Sequence, residues 1–292
     1  MTQTTPNLGF IGIGLMGRPM TLRLLQAGFR VNVWNRSPDK LAAVEQAGAQ
    51  VCASIAELVN ASDVILLCLA DTKVVESIVD QHLLQHGGSG KLVIDLSSID
   101  PETTRQLAAK LKQQCGMHWV DAPVSGGTAG AEQGTLAIMA GGEAGDIETA
   151  REVLKPLYSR LTHMGPIGSG QTTKICNQMI VSCNVLVIAE MMALAQKAGV
   201  DAGKIPEALA GGFADSKPLQ IVGPEMAADK FEPVKWRVKT LLKDLNMAVG
   251  LAAEQGSAIP MSGLAAQLMQ LHGSHGFLDQ DPSTLIKLYR QD

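Results

Sequence analysis

Two periodicities divide this chain. Up to about residue 165, short β-rich apolar runs at 8–13, 31–34, 64–69 and 92–96 alternate with amphipathic stretches of helical spacing at 16–27, 38–47, 55–61, 74–79 and 101–114. Further strands are predicted near 118–121, 136–140 and 161–164. Ser54 with Glu57 spells a capping box, and Asp100 precedes a helix that opens with Pro101. Strands alternating with helices predict a parallel sheet covered on both faces. After Gly170 the strand signal disappears. The stretch 172–198 reads as one helix of about 40 Å, stopped at Gly199 and apolar nearly all round, which predicts burial. Shorter helices follow near 202–209, 234–255, 262–272 and 282–289. The expected fold is α/β: a Rossmann-type, doubly wound, mostly parallel sheet over residues 1–165. An all-α domain over 166–292 follows, joined by the long interdomain helix.

Directly after the first strand comes Gly12-Ile13-Gly14-Leu15-Met16-Gly17, which opens the first helix. The first glycine permits the tight turn, the second admits a pyrophosphate to the backbone, and the third lets helix pack on strand. The helix N-terminus then faces the phosphates. Strand before, helix after and βαβ unit around make this a dinucleotide site rather than a ligand-free turn. The second strand should end in the residue that reads the adenosine ribose, usually Asp or Glu where the cofactor is NAD. This chain has Asn35-Arg36-Ser37. With no carboxylate to repel it, a 2′-phosphate can pair with Arg36 and accept a bond from Ser37. That argues for NADP as the preferred cofactor, with NAD as the alternative. The plainer reading is that Arg36 stacks on the adenine or faces solvent.

Composition narrows the class. Of 292 residues, 46 % are apolar and 18 % charged, and the net charge of −4 supplies no field for nucleic acid or anionic membrane. Aromatics are 3 %, so the core must come from aliphatic residues and 13 Met. No run reaches the roughly 18 uninterrupted apolar residues of a membrane span, and the polar start lacks the features of a signal peptide. The five cysteines form no CxxC pair and read as reduced, packed thiols. His272 and His275 have no Cys or carboxylate cluster to complete a metal site. These features predict a soluble cytoplasmic protein without a metal.

Three more motifs stand in order. Asp121-Ala122-Pro123-Val124-Ser125-Gly126-Gly127 follows a strand, Gly168-Ser169-Gly170-Gln171-Thr172-Thr173-Lys174-Ile175-Cys176-Asn177-Gln178 opens the long helix, and Lys243-Asp244-Leu245 lies on a later one. With the glycine loop they resemble the β-hydroxyacid dehydrogenase family from about Leu8 to the last helix.

The residues argue for the same chemistry. Lys174 and Asn177 are three apart and share a helix face, with Gln178 beside them. Carbonyl reduction needs a proton on oxygen as hydride reaches carbon. A lysine ammonium can stabilise the developing alkoxide and donate that proton. Partial burial should lower its pKa toward the working range. A solvated lysine in the first helical turn is the alternative, but that turn is electrostatically unfavourable for a cation. Ser125, Gly126 and Gly127 offer a hydroxyl and open N–H groups to a carboxylate, unless the glycines merely satisfy the turn. The resemblance implies that this segment binds the substrate carboxylate and that Asn177 orients substrate and lysine. It also implies cofactor contacts at Leu69 and Ala70, where the family usually has Leu-Pro, at Ser98 beside the nicotinamide, and at Lys243. Asp244 could equally be the surface ion-pair partner of Lys243. The active site is expected in the cleft between the domains.

Within the family, the Asn177-Gln178 pair, the segment Gly211-Gly212-Phe213-Ala214-Asp215-Ser216 and Lys243-Asp244-Leu245-Asn246 look most like the tartronate semialdehyde (2-hydroxy-3-oxopropionate) reductases. That implies reduction of the aldehyde to D-glycerate, with Phe213, Asp215 and Ser216 near the far end of the substrate. Dehydrogenases of the 3-hydroxyisobutyrate or 4-hydroxybutyrate type are the alternatives. An imine reductase would lack Lys174, and a non-catalytic NADP-binding protein should have lost Lys174, Asn177 or Ser125. A dimer or tetramer is expected from the helical second domain.

Overall fold

The computed structural model describes residues 5–290, so residues 1–4 of the polar start lie outside it. The chain divides into two compact units, 1–174 and 175–292, and the division falls inside one helix, Ser169–Lys197.

In the first unit the strands among the described residues are β1 (Leu8–Ile11), β2 (Val31–Trp34), β3 (Gln50–Val51), β4 (Val64–Leu67), β5 (Leu92–Asp95), β6 (His118–Asp121), β7 (Val124–Ser125), β8 (Leu136–Gly141) and β9 (Tyr158–Gly165). They form one sheet in the order β3-β2-β1-β4-β5-β6-β8-β7, with β9 on β8. Pairing is parallel from β3 through β6 and between β8 and β9, and antiparallel where β8 meets β6 and β7. Alternate residues of the central strands feed two cores. Phe10, Leu66 and Ile94 pack on one face, while Ile11, Leu67 and Val93 pack on the other. Full burial of each such side chain contributes about 1.5–3 kcal/mol, and a register slip of one residue would send each set into the opposite core and disrupt the packing of both. Strand order reverses at β1, and in open α/β sheets ligands bind at the strand ends beside that reversal.

Both helix starts expected from the sequence are present. Asp100 accepts a bond from the Thr103 N–H at 2.7 Å ahead of Pro101. Ser54 accepts from the Glu57 N–H at 3.1 Å, while the Glu57 carboxylate reaches back to the Ala53 N–H rather than to that of Ser54. The two-residue strands β3 and β7 were not expected, because they are too short to carry a period.

Among its described residues the second unit contains helices and no strand. The helix Lys217–Ala227 was missed because Pro218 and Pro224 both break the helical signal. The helix predicted over 234–255 starts only at Val238, since Lys235 N–H donates to Asp281 and Val238 N–H to the Gln280 carbonyl. The long helix, expected to be buried all round, is not. Val185, Ile188, Ala189 and Met192 enter the unit's core, but Ile180, Val187 and Leu194 are 71, 56 and 67 % exposed. Their seven-residue spacing forms a stripe directed away from that core. The helix is long and apolar enough to cross a membrane by length and composition, yet its other faces pack into the unit's own core.

Candidate active site

The glycine loop shows three different needs for glycine. A Cβ on Gly12 would lie 2.3 Å from the Cys68 carbonyl oxygen, and one on Gly17 would lie 1.9 Å from that of Gly12. Both residues are required by the chain's own packing. Gly14 has nothing within 4 Å of its Cβ position, so its open face is available to a ligand. The following helix has no side-chain cap and no acidic residue in its first turn. This combination fits a pyrophosphate, which would take the unfilled N-terminal N–H groups. Leu15 is exposed there and Met16 half-buried.

At the end of β2, the Asn35 side chain is used inside the protein. Its Oδ1 accepts from the Ile13 N–H and its Nδ2 donates to the Ser37 carbonyl, both at 2.9 Å. Asn35 thereby ties the glycine loop to the segment that carries Arg36 and Ser37. Arg36 is exposed and Ser37 half-buried.

The ends of β4, β5 and β6 are laced together. Leu69 N–H donates to Ser97 Oγ at 2.9 Å, and Ser97 N–H donates to Asp95 Oδ1 at 2.9 Å. Ala70 is exposed beside this contact, and Ser98 is half-buried. Asp95 is fully buried and its Oδ2 has no partner. Burial raises its pKa to about 6 against the opposing effect of the Ser97 bonds. Asp121, in parallel register with Asp95, accepts the N–H of Gly168 at 2.8 Å and of Gln171 at 2.9 Å. Burial holds it up at about 7, with the charge of Asp95 adding to the effect. Gln171 spans the junction from the other side, donating to the Ser97 carbonyl at 2.9 Å and accepting the Ile99 N–H at 3.2 Å.

Ser125 ends β7, and Gly126 and Gly127 follow with φ of 140° and 64°. The turn itself therefore favours glycine, while both residues stay exposed and accessible to a ligand. Lys174 is half-buried on the long helix. That helix begins at Ser169, so Lys174 lies in its second turn and not the first.

In the second unit Asn177 Nδ2 donates to Gln178 Oε1 at 2.8 Å, and Gln178 Nε2 donates to Asp244 Oδ2. Asp244 also pairs with Lys243 at 3.1 Å. Asp244 is buried, so the pair is not the surface ion pair considered from the sequence. Cys176, expected to be packed, is exposed. Asp215 closes its own loop by accepting from the Gly211 N–H at 2.7 Å and from Gln220 at 2.6 Å, and Ser216 caps the next helix; Phe213 is fully exposed. Buried His272 stacks on Phe277 and bonds Thr284. Among the described residues no group of three or more His, Cys, Asp or Glu could hold a metal ion.

Residues 7–165 match the family model described as the NAD binding domain of 6-phosphogluconate dehydrogenase. Residues 168–289 match that described as NAD-binding of NADP-dependent 3-hydroxyisobutyrate dehydrogenase. The chain is 34 % identical over 284 residues to the 2-hydroxy-3-oxopropionate reductase of Escherichia coli (strain K12), covering 96 % of each. The chain belongs to the β-hydroxyacid dehydrogenase family. A second relative, the NAD-dependent L-serine dehydrogenase of Pseudomonas aeruginosa, is 33 % identical over 290 residues, 97 % of each chain. The solved structure of Mycobacterium tuberculosis 3-hydroxyisobutyrate dehydrogenase with L-serine matches with a TM-score of 0.88 at 29 % identity, over 99 % of this chain and 100 % of that one. The chain is therefore an NAD(P)-dependent hydroxyacid dehydrogenase, and its family acts on small hydroxy acids.

Asp95, Asp121 and Gln171 had no role in the sequence reading. Their signal was a polar residue closing an apolar strand, or standing in the first turn of an apolar helix. The raised pKa of Asp95 carries a sign. Below about pH 3 the carboxyl is neutral in both folded and unfolded chains. As pH rises toward 6 the unfolded chain ionises first, so stability falls and the loss is complete above 6. Asp95→Asn should therefore be more stable than the parent by roughly 1–3 kcal/mol above pH 7, an advantage that shrinks as pH falls and is gone by about pH 3 in denaturant titrations. A difference that does not vary with pH would refute the assignment.

Proposed function

We propose that this chain reduces a small acid aldehyde to a β-hydroxy acid, and that tartronate semialdehyde and D-glycerate are its preferred pair. The observation that carries the chemistry is a half-buried lysine one turn beyond a helix start anchored to the ends of β5 and β6. Ser125 with the N–H groups of Gly126 and Gly127 holds the substrate carboxylate. Lys174 donates its proton to the carbonyl oxygen during reduction and takes it back in the reverse direction. Asn177 orients the substrate carbonyl and the lysine. A bound nicotinamide cofactor supplies or accepts the hydride. It is held by Gly12, Gly14, Leu15, Met16 and Gly17 at its phosphates, with Leu69, Ala70, Ser98 and Lys243 along its length.

The choice of tartronate semialdehyde over 3-hydroxyisobutyrate or 4-hydroxybutyrate-type substrates rests on Gln178 following Asn177, supported by identity with the Escherichia coli reductase. Lys174 speaks against imine reduction. NADP is preferred because exposed Arg36 and neighbouring Ser37 leave room for a 2′-phosphate and present no carboxylate to it. The Ile180, Val187 and Leu194 stripe supports a homodimer or homotetramer, which sedimentation at micromolar concentration should reveal; a monomer at all concentrations would exclude it.

Lys174→Ala should lower turnover by at least 10²-fold while leaving fold and NADPH affinity unchanged. Near-normal turnover would remove the assigned mechanism. Arg36→Ala should lower kcat/KM for NADPH by about tenfold, a charge-assisted bond of about 1.5 kcal/mol, and leave that for NADH within twofold. An equal loss with both cofactors would mean that Arg36 does not read the phosphate.

A further inference from the structure

Asp121 and Gln171 are buried polar groups that the mechanism above does not use, and both converge on the helix that carries Lys174. Gln171 is 1 % exposed, and its amide spans two backbone groups of one segment, the Ser97 carbonyl and the Ile99 N–H. That segment carries Ser98. From the neighbouring strand, the Asp121 carboxylate accepts the N–H of Gly168 and of Gln171 itself. Asp121 stands four residues before Ser125, so the same carboxylate references the substrate loop to the helix start. The junction has no slack. A Cβ on Gly170 would lie 2.4 Å from the Met139 carbonyl oxygen and 2.7 Å from that of Asp121. Gly168 takes a φ of +89°, which other residues rarely adopt.

We propose that Gln171 is a positioning residue. Its two-point amide contact, with the helix start seated on Asp121, fixes the distance between Lys174 and the Ser97–Ile99 segment. Lys174 follows Gln171 by three residues, so a tilt or rotation of the first turn passes directly to the lysine. Misplacement of a reacting group by about 1 Å can cost about 10² in rate. This inference rests on the reading of Lys174 as the proton donor.

The test is a double-mutant cycle in the full-length protein with NADPH and the best acid aldehyde, read as single-turnover hydride transfer. Gln171→Met keeps the volume of the side chain and removes both bonds. It should lower the rate at least tenfold, with substrate KM and NADPH Kd within twofold of the parent. In steady-state turnover, the primary isotope effect on kcat from NADPH deuterated at the transferred position should rise as hydride transfer becomes limiting. In a Lys174→Ala background the same substitution should change the residual rate less than twofold, because no lysine remains to be misplaced. Should Gln171→Met fail to fold, Gln171→Asn, one methylene too short to span both partners, goes through the same cycle. An unchanged rate in the single variant, or equal losses in both backgrounds, overturns the proposal. A normal rate in Lys174→Ala alone instead removes the catalytic reading, a result distinguishable from either.

Discussion

The Asp121 carboxylate, buried at the end of β6, accepts two N–H groups from the start of the long helix. Much of the first unit depends on that contact. A helix N-terminus presents donors that must be satisfied once it is buried, and here a charged-capable group on a central strand satisfies two of them. Burial raises the pKa of Asp95 and of Asp121 well above the ordinary carboxylate range, and the charge of Asp95 adds to the effect at Asp121. The cost is stability at neutral pH. What the contact provides is a helix whose first turn is referenced to the sheet, with Lys174 one turn further on.

The architecture was legible because its causes are local and periodic. The runs that became β1 and β4 are apolar on both faces, those that became β2, β5 and β6 are short and rich in β-branched or aromatic residues, and Ser54 and Asp100 are caps whose chemistry reads directly from residue type. The glycine loop was legible from its spacing after a strand, although only Gly17 answers to a steric limit within the loop itself, whereas Gly12 answers to the Cys68 carbonyl at the end of β4. Elements without a period escaped. The strand Gln50–Val51 and the helix Lys217–Ala227, with its two prolines, carry too little pattern. The long helix was misjudged because composition does not say which neighbour covers an apolar side chain. Ile180, Val187 and Leu194 look like core residues in sequence and are exposed in the chain.

The candidate site was legible as a set of motifs but not as a mechanical system. Lys174, Asn177 and Ser125 stand out because their chemistry is unusual where they occur. Asn35 was read only as a cofactor contact, and its amide also fastens the Ile13 N–H to the Ser37 carbonyl. Gln171 and Asp121 were silent because their partners are backbone groups of residues 47 or more positions away. Gln178 belongs to both categories: it was noticed as the residue paired with Asn177, while its bond to buried Asp244 depends on packing. Through it Asn177, Gln178, Asp244 and Lys243 form one polar chain in the second unit.

Reduction of a small acid aldehyde with a nicotinamide cofactor is tested most directly by NADPH and NADH oxidation with tartronate semialdehyde, methylmalonate semialdehyde, succinic semialdehyde and glyoxylate. Tartronate semialdehyde should turn over fast, with a higher kcat/KM for NADPH than for NADH. Tight cofactor binding with no turnover of any aldehyde would contradict it.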